Sequence, residues 1–263
     1  GYDGGGYGKR NIVRETVSIL ARLDWNISEK HNLAVRYSYL DAGKDEHINS
    51  ASTLLFHGTG YTSVSDTHSI MAELDSRISP MLYNSLQVGY TRVTDGRDTE
   101  TKTPFVTIDH IRDGENTTVK IGTDGVACSN ELTQNSITIS DYLSIHKGAH
   151  NITVGTHNEI FAARVLYVSN SQGAYTYDTM ADFLAGNPSM FQQTIPIGDA
   201  STRIKSAQFG LFAQDEVWIN NFQLTYGVRA DIPVIFNTPR ENSAFNSHEI
   251  AQKYGVATNS KPK

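Results

Sequence analysis

Residues 217–233 read VWINNFQLTYGVRADIP. From Phe222 the side chains alternate. Phe222, Leu224, Tyr226 and Val228 are apolar, while Gln223, Thr225, Gly227 and Arg229 are polar or bare. Successive side chains of an extended chain point to opposite sides, so a period of two marks a strand with unlike faces. Asn220 and Asn221, just before it, read as a turn. The fold depends on what the apolar side meets, a protein core or lipid.

The same unit of strand, short polar turn and strand recurs in four segments. The first is VSILARLDWNISEKHNLAVRYSYL, where Val17, Ile19, Ala21, Leu23, Trp25 and Ile27 oppose Ser18, Arg22, Asp24 and Asn26, with Leu20 out of phase. After the turn, Leu33, Val35, Tyr37 and Tyr39 alternate with Ala34, Arg36 and Ser38. In the second, Ile70, Ala72, Leu74 and Ile78 oppose Glu73, Asp75 and Arg77; then Leu86, Val88 and Tyr90 oppose Ser85, Gln87 and Gly89. The third turns at HKGAH (146–150), and the fourth contains the opening stretch.

Long segments rich in Gly, Asp, Asn, Ser and Thr separate these hairpins, at 43–66, 96–134, 169–203 and from 233 onward. Loops beyond about 12–15 residues are uncommon in compact domains. Short turns at one end and long loops at the other are the pattern of an outer-membrane barrel. The runs reach the ~9–11 residues a tilted membrane strand requires. The reading is therefore all-β: an antiparallel transmembrane β-barrel, partial, of about eight or nine strands. Short helices decorate its loops, at YDTMADFLAGNP with Asp178 as N-cap and at FNSHEIAQKYG with Asn246 as N-cap. Trp25, Tyr83 and Trp218 near the short turns, with Tyr39 and Tyr90 near the long loops, suggest two aromatic belts.

Composition agrees. Hydrophobic residues are 38% of 263, aromatics are 10%, and Tyr alone numbers 13. That average suits a sheet with one wet and one apolar face, since alternating strands produce no hydropathy peak. The net charge of −6 and the lack of a basic cluster with interleaved aromatics argue against nucleic acid. A single cysteine, Cys128, excludes an intrachain disulfide framework and a multi-thiolate metal site. The start, GYDGGGYGKR, carries no initiator Met or signal peptide, and the end, ATNSKPK, has no strand pattern. Residues 1–263 are thus expected to be part of one barrel domain cut from a longer chain.

The fourth hairpin, FGLFAQDEVWINNFQLTYGVRADIPVIFNTPREN, resembles the barrel of TonB-dependent outer-membrane receptors. Ala213, Gln214, Asp215 and Glu216 match its A-Q-D-E-W run, with the aromatic displaced to Trp218. Ala21 to Trp25 and the set Lys147, Gly148, His150, Gly155 and Glu159 resemble further barrel motifs. DFLAGNPS and DIPVIFNTPREN resemble the large Oar-like branch of Bacteroidetes. The resemblance implies an outer-membrane location, a solute bound at the extracellular face, and import driven through TonB. It also implies a plug inside a barrel of about 22 strands. No plug or TonB-contacting segment is visible here, so TonB would be reached through the missing N-terminal part. Outer-membrane lipid would surround the barrel, and a surface lipoprotein or other subunits could sit on the loops.

No chemistry competes with this. The sequence has no G-x-S-x-G, H-E-x-x-H or P-loop, so no enzyme is expected, and no cofactor or metal either. GYDGGGYG reads as a flexible loop, and the carboxylates of DAGKDEH and DGRDTE as solvated outer turns. Arg22, Asp24, Arg36, Glu73, Asp75, Arg77 and Arg229 are candidates for the lumen face, as plug or solute contacts or as paired cross-strand charges. Leu23, Trp25, Val35, Tyr37, Leu74, Val88, Phe222, Leu224, Tyr226 and Val228 are candidates for the lipid face. Tyr61, Tyr167, Tyr175 and Phe191 are candidates for an extracellular ligand or partner surface. The alternatives are a small porin or adhesin barrel, and a soluble β-sandwich binding carbohydrate.

Overall fold

The computed structural model describes residues 4–47, 49–111 and 116–261. In chain order its strands are β1 (Arg14–Ser28), β2 (His31–Glu46), β3 (Thr53–Leu55), β4 (Tyr61–Ser79), β5 (Leu82–Thr99), β6 (Phe105–Ile108) and β7 (Thr118–Ile121). They continue as β8 (Asn130–Lys147), β9 (His150–Tyr167), β10 (Ala174–Tyr177), β11 (Met190–Gln192), β12 (Ser201–Ile219) and β13 (Phe222–Ile235). Three short helices are α1 (Met180–Ala185), α2 (Ser243–Asn246) and α3 (Glu249–Tyr254).

The eight long strands form one antiparallel sheet in chain order, β1-β2-β4-β5-β8-β9-β12-β13. Directly opposed residues share a face, so the register traces rows across the wall. One apolar row runs Trp25, Leu33, Leu74, Leu86, Asp141, Thr156, Leu211, Ala230. The next row on the other face runs Asp24, Ala34, Glu73, Gln87, Ser140, His157, Gly210, Asp231. All ten residues read as the apolar face lie on one side, and the seven charged candidates lie on the other.

The rows are not level with the short turns. Along the apolar row, Leu33, Leu86, Thr156 and Ala230 stand two, four, six and eight residues past His31, Leu82, His150 and Phe222, where their strands begin. A stagger of one residue (~3.3 Å) per strand spacing (~4.8 Å) inclines the strands by about 35°, the tilt of a closed barrel wall. β12, at 19 residues, then climbs about 50 Å, twice the ~25 Å apolar band of membrane barrels.

No second sheet covers the apolar face among the described residues. Leu23 is 67% exposed, Leu211 63% and Val228 76%. A sandwich would bury such residues against a facing sheet about 10 Å away. β1 and β13 each pair on one side only, which leaves two open edges.

The strands exceed the sequence expectation at the loop end. β2 runs through Glu46, β4 starts at Tyr61 and β5 runs to Thr99, so DAGKDEH and DGRDTE sit largely in strand and not in loops. Pairing continues where the apolar alternation stops, because the backbone ladder needs no apolar partner. Polar side chains there bond across strands: Thr62 Oγ1 donates to Asp45 at 2.8 Å and Ser65 Oγ to Asp95 at 2.6 Å.

Other local readings also change. Trp218 pairs with Gln223, and Tyr83 with Ser144, so both lie on the polar face and leave Trp25 as the belt residue at that end. Thr179, not Asp178, caps α1, since its hydroxyl accepts from the Asp182 N–H. The FNSHEIAQKYG segment splits into two helices, with Asn246 ending α2 and His248 capping α3. Gly186 and Gly255 stop α1 and α3 at φ 67° and 62°, as glycine past a helix end does. The glycine-rich start is held: the Gly6 carbonyl accepts from His57 N at 2.6 Å, and the Gly4 carbonyl from Gly58 N at 3.1 Å.

Each hairpin closes on two residues between its strands, with Gly148 at φ 63° and Asn220 at φ 53°. A branched side chain is strained there. Gly148→Val is expected to cost about 1–3 kcal/mol, read as a lower denaturant midpoint for the folded, heat-modifiable band on gels.

Candidate functional site

Two hollows open on the polar face. Near the short turns, Arg22, Asp24, Arg36, Glu73 and Asp75 line one of about 290 Å³ together with Asn26 and Asn32. Arg22 and Arg36 stand directly opposite in the ladder, a repulsive placement for like charges. Each is drawn away by a carboxylate: Arg22 to Asp24 at 2.6 Å and Arg36 to Glu73 at 3.5 Å. Gln87 Nε2 donates to the other Glu73 oxygen at 3.3 Å. Arg77 is not among the residues lining this hollow; it sits at the bulge between Arg77 and Ser79, opposite Tyr83.

The second hollow, about 800 Å³, lies toward β13 and is lined by Tyr142, His157, Phe212, Gln214, Thr225 and Arg229 among others. Gly155 faces Tyr142 on one side and Phe212 on the other. A Cβ on Gly155 would come within 2.7 Å of the Phe212 ring, so the bare backbone lets that ring lie flat across the strand. Tyr142 and Phe212 rings are 5.7 Å apart, and the Arg229 guanidinium lies 5.9 Å from the Phe212 centroid. Arg229 is also tied to Asp231 at 2.7 Å. Aromatic faces beside a neutralised Arg–Asp pair make a surface for uncharged polar groups. Of these residues the sequence reading placed only Arg229 among the site candidates, with Gln214 and Gly155 noted as motif residues; Phe212 and Tyr142 become neighbours through Gly155, a relation that needs the register.

At the loop end, short strands from three loops build a second sheet, β11-β10-β6-β7-β3. Its centre holds the buried apolar side chains Ile108 and Val119. Tyr175 and Phe191 are brought together here, with ring centroids 4.7 Å apart. Tyr61 and Tyr167 are not: they sit at the ends of β4 and β9, with β5 and β8 between. The Arg97 guanidinium lies 5.1 Å over the Tyr61 ring.

Beside this sheet His47 is 7% exposed, and neither ring nitrogen has a hydrogen-bond partner among the described residues. The His57 ring meets it edge-on at 5.6 Å. Arg10 Nη1 donates to the His57 carbonyl at 3.3 Å, and Arg10 pairs with Glu100. Burial first, then the Arg10 charge and the His57 ring, push the His47 pKa below the usual histidine value; Glu100 opposes them.

This architecture matches a known family. The chain fits the family described as "Outer membrane beta barrel domain" over residues 7–261, and it belongs to that family. The protein therefore resides in the outer membrane. Among solved structures it is similar to the crystal structure of the outer membrane transporter YddB from Escherichia coli, with a TM-score of 0.60 at 12% identity. That match covers 84% of this chain and 28% of the transporter, so the chain spans less than a third of the structure it resembles. The curated proteins gave no match.

Arg36 and Glu73 side chains are 45% and 23% exposed, which limits what their pairing contributes. A double-mutant cycle on Arg36→Ala and Glu73→Ala is expected to give a coupling below about 1 kcal/mol. A larger value would assign this pair a dominant structural role. His47 gives a pH prediction. Its folded pKa is depressed, so its neutral form favours the folded loops fully above the unfolded value of ~6.5, and that contribution declines as pH falls below it. Hydrogen-exchange protection factors at residues 4–10 and 57–60, taken relative to the intrinsic rate at each pH, are expected to fall from pH 7.5 to pH 5, and His47→Phe to flatten the fall.

Proposed function

We propose that this chain forms part of the wall of a TonB-dependent outer-membrane transporter of the large Oar-like type found in Bacteroidetes. The protein binds a solute at its extracellular face and imports it with energy transmitted by TonB. It acts as a transporter and not as an enzyme. The apolar face of the opening stretch meets lipid, and the charged face lines the lumen.

The observation that carries this reading is the sidedness of eight consecutive antiparallel strands, joined by two-residue turns at one end and long loops at the other. The inclination near 35° supports it, as does the similarity to an outer membrane transporter. Further strands of a longer protein would pair the open edges of β1 and β13. A plug in that longer protein would meet the charged hollows and carry the segment that contacts TonB. The loop sheet, with Tyr175 and Phe191, offers the surface for solute, a surface lipoprotein or another subunit.

The test is purification from outer membranes, intact mass, and binding to the isolated periplasmic domain of TonB. A mass several times that of 263 residues, with upstream plug peptides and TonB binding, supports the reading. A mass near that of the chain, without TonB binding, overturns it in favour of a small passive barrel.

The faces are tested by depth. Leu224 lies beside the short turn, while Val228 stands further along β13, 76% exposed. Val228→Arg is expected to cost about 2–4 kcal/mol and Leu224→Arg about 0–1, as charges near the midplane and near an interface do. Unfolding from phospholipid bilayers measures both, and equal costs would refute the assigned depth.

A further inference from the structure

Three side chains in the middle of the apolar face are polar. Asp141 and Thr156 stand opposite each other in β8 and β9, and Asn158 follows on the same face. On β8 Asp141 lies between Leu143 and Ile139, and across the ladder it meets Leu86. They stand well above the short turn that joins Lys147 to His150 and well below the polar loop end.

Local bonds satisfy only part of this cluster. Asn84 Nδ2 donates to Asp141 Oδ1 at 2.5 Å and to the Tyr142 carbonyl at 3.2 Å, which serves one of the two carboxylate oxygens. Thr156 Oγ1 lies within donating distance of the Gly210 carbonyl at 2.8 Å and of Asn158 Oδ1 at 3.1 Å, and Asn158 Nδ2 donates to Thr156 Oγ1 at 2.8 Å and to the Ile139 carbonyl at 3.3 Å, which leaves the second Asp141 oxygen as the unserved group. Hydrocarbon tails cannot solvate the rest, and an ionisable side chain inside a membrane calls for a partner. Lipid headgroups lie at the band edges, too far to reach the centre. The shape is also unlike a smooth barrel exterior. A hollow of about 700 Å³ opens beside Asp141 and Thr156, over the small Ala213, with Leu211 and Val228 standing up at its rim.

We propose that this cluster is the contact between two copies of the protein, packed side by side about a two-fold axis along the membrane normal. The proposal rests on the reading that the apolar face meets lipid. Insertion gives both copies the same orientation, so a contact between them brings together residues of equal height. A two-fold contact requires one patch to complement itself. This patch does so twice. It holds a carboxylate with one open oxygen at the same height as the Thr156 hydroxyl, so that each Asp141 can meet the hydroxyl of the other copy. It also sets the projecting Leu211 and Val228 next to the hollow that their symmetry mates would fill.

The experiment uses the full-length protein in native outer-membrane vesicles, with a photoreactive residue in place of Leu143, beside the cluster, or of Ala21, on the same face of β1. Irradiation is expected to give an adduct of twice the protein's mass from position 143 and lipid adducts alone from position 21. Asp141→Leu is expected to lower the dimeric adduct at least fivefold while the barrel still assembles; Asn158→Leu serves the same purpose if Asp141→Leu does not assemble. Lipid adducts alone at position 143, an adduct to a different protein, or a dimer undiminished by either substitution would overturn the proposal. An assembled protein whose position 21 labels no lipid would instead refute the lipid-facing reading beneath it.

Discussion

The rest of this structure depends on backbone hydrogen bonding in a place without water. Inside a bilayer every N–H and C=O must find its partner within the protein, and a sheet does so by lateral pairing. The ladder from β1 to β13 meets that demand strand after strand, each neighbour also being the next long strand in the chain. Once pairing is fixed, the pleat assigns every side chain to one of two sides. Sidedness, strand length and the two-residue turns all follow from that single requirement.

The polar side shows how the wall tolerates charge. Arg22 opposite Arg36 would be unfavourable in isolation, yet each finds its own carboxylate within the shared hollow. Arg229 is matched by Asp231 two positions along β13. The charges are thus neutralised locally, and the face presents dipoles and rings to whatever lies against it. The surface is polar, structured and nearly neutral.

Much of this was legible in the sequence, because period-two alternation is a local signal. Phe222 to Val228 announce their strand, and Asn220–Asn221 its turn, without reference to anything distant. Strand ends were less legible. Tyr61 to His68 carry no apolar alternation, yet they pair fully with β2 and β5. The loop sheet was hidden for a different reason: Thr53, Leu54 and Leu55 pair in parallel with Thr118, Val119 and Lys120 of β7, across a long separation in sequence. Neither partner is long enough to show a pattern alone. Trp218 was misplaced because nearness to a turn says nothing about parity, and its partner Gln223 decides the face. Asp141 and Asp215, carboxylates on the apolar side, emerge only when the rows are traced across several strands.

The stagger of the rows shapes the polar surface. Because each hairpin shifts the ladder by two residues, the polar row from Asp24 to Asp231 rises steadily away from the short turns. Its groups are arranged like the thread of a screw and not like stacked rings. A body moving straight along the wall meets Asp231 first, then His157 and Ser140, then Glu73, and Asp24 last. A body that turned with the thread would keep the same row beside it throughout its descent.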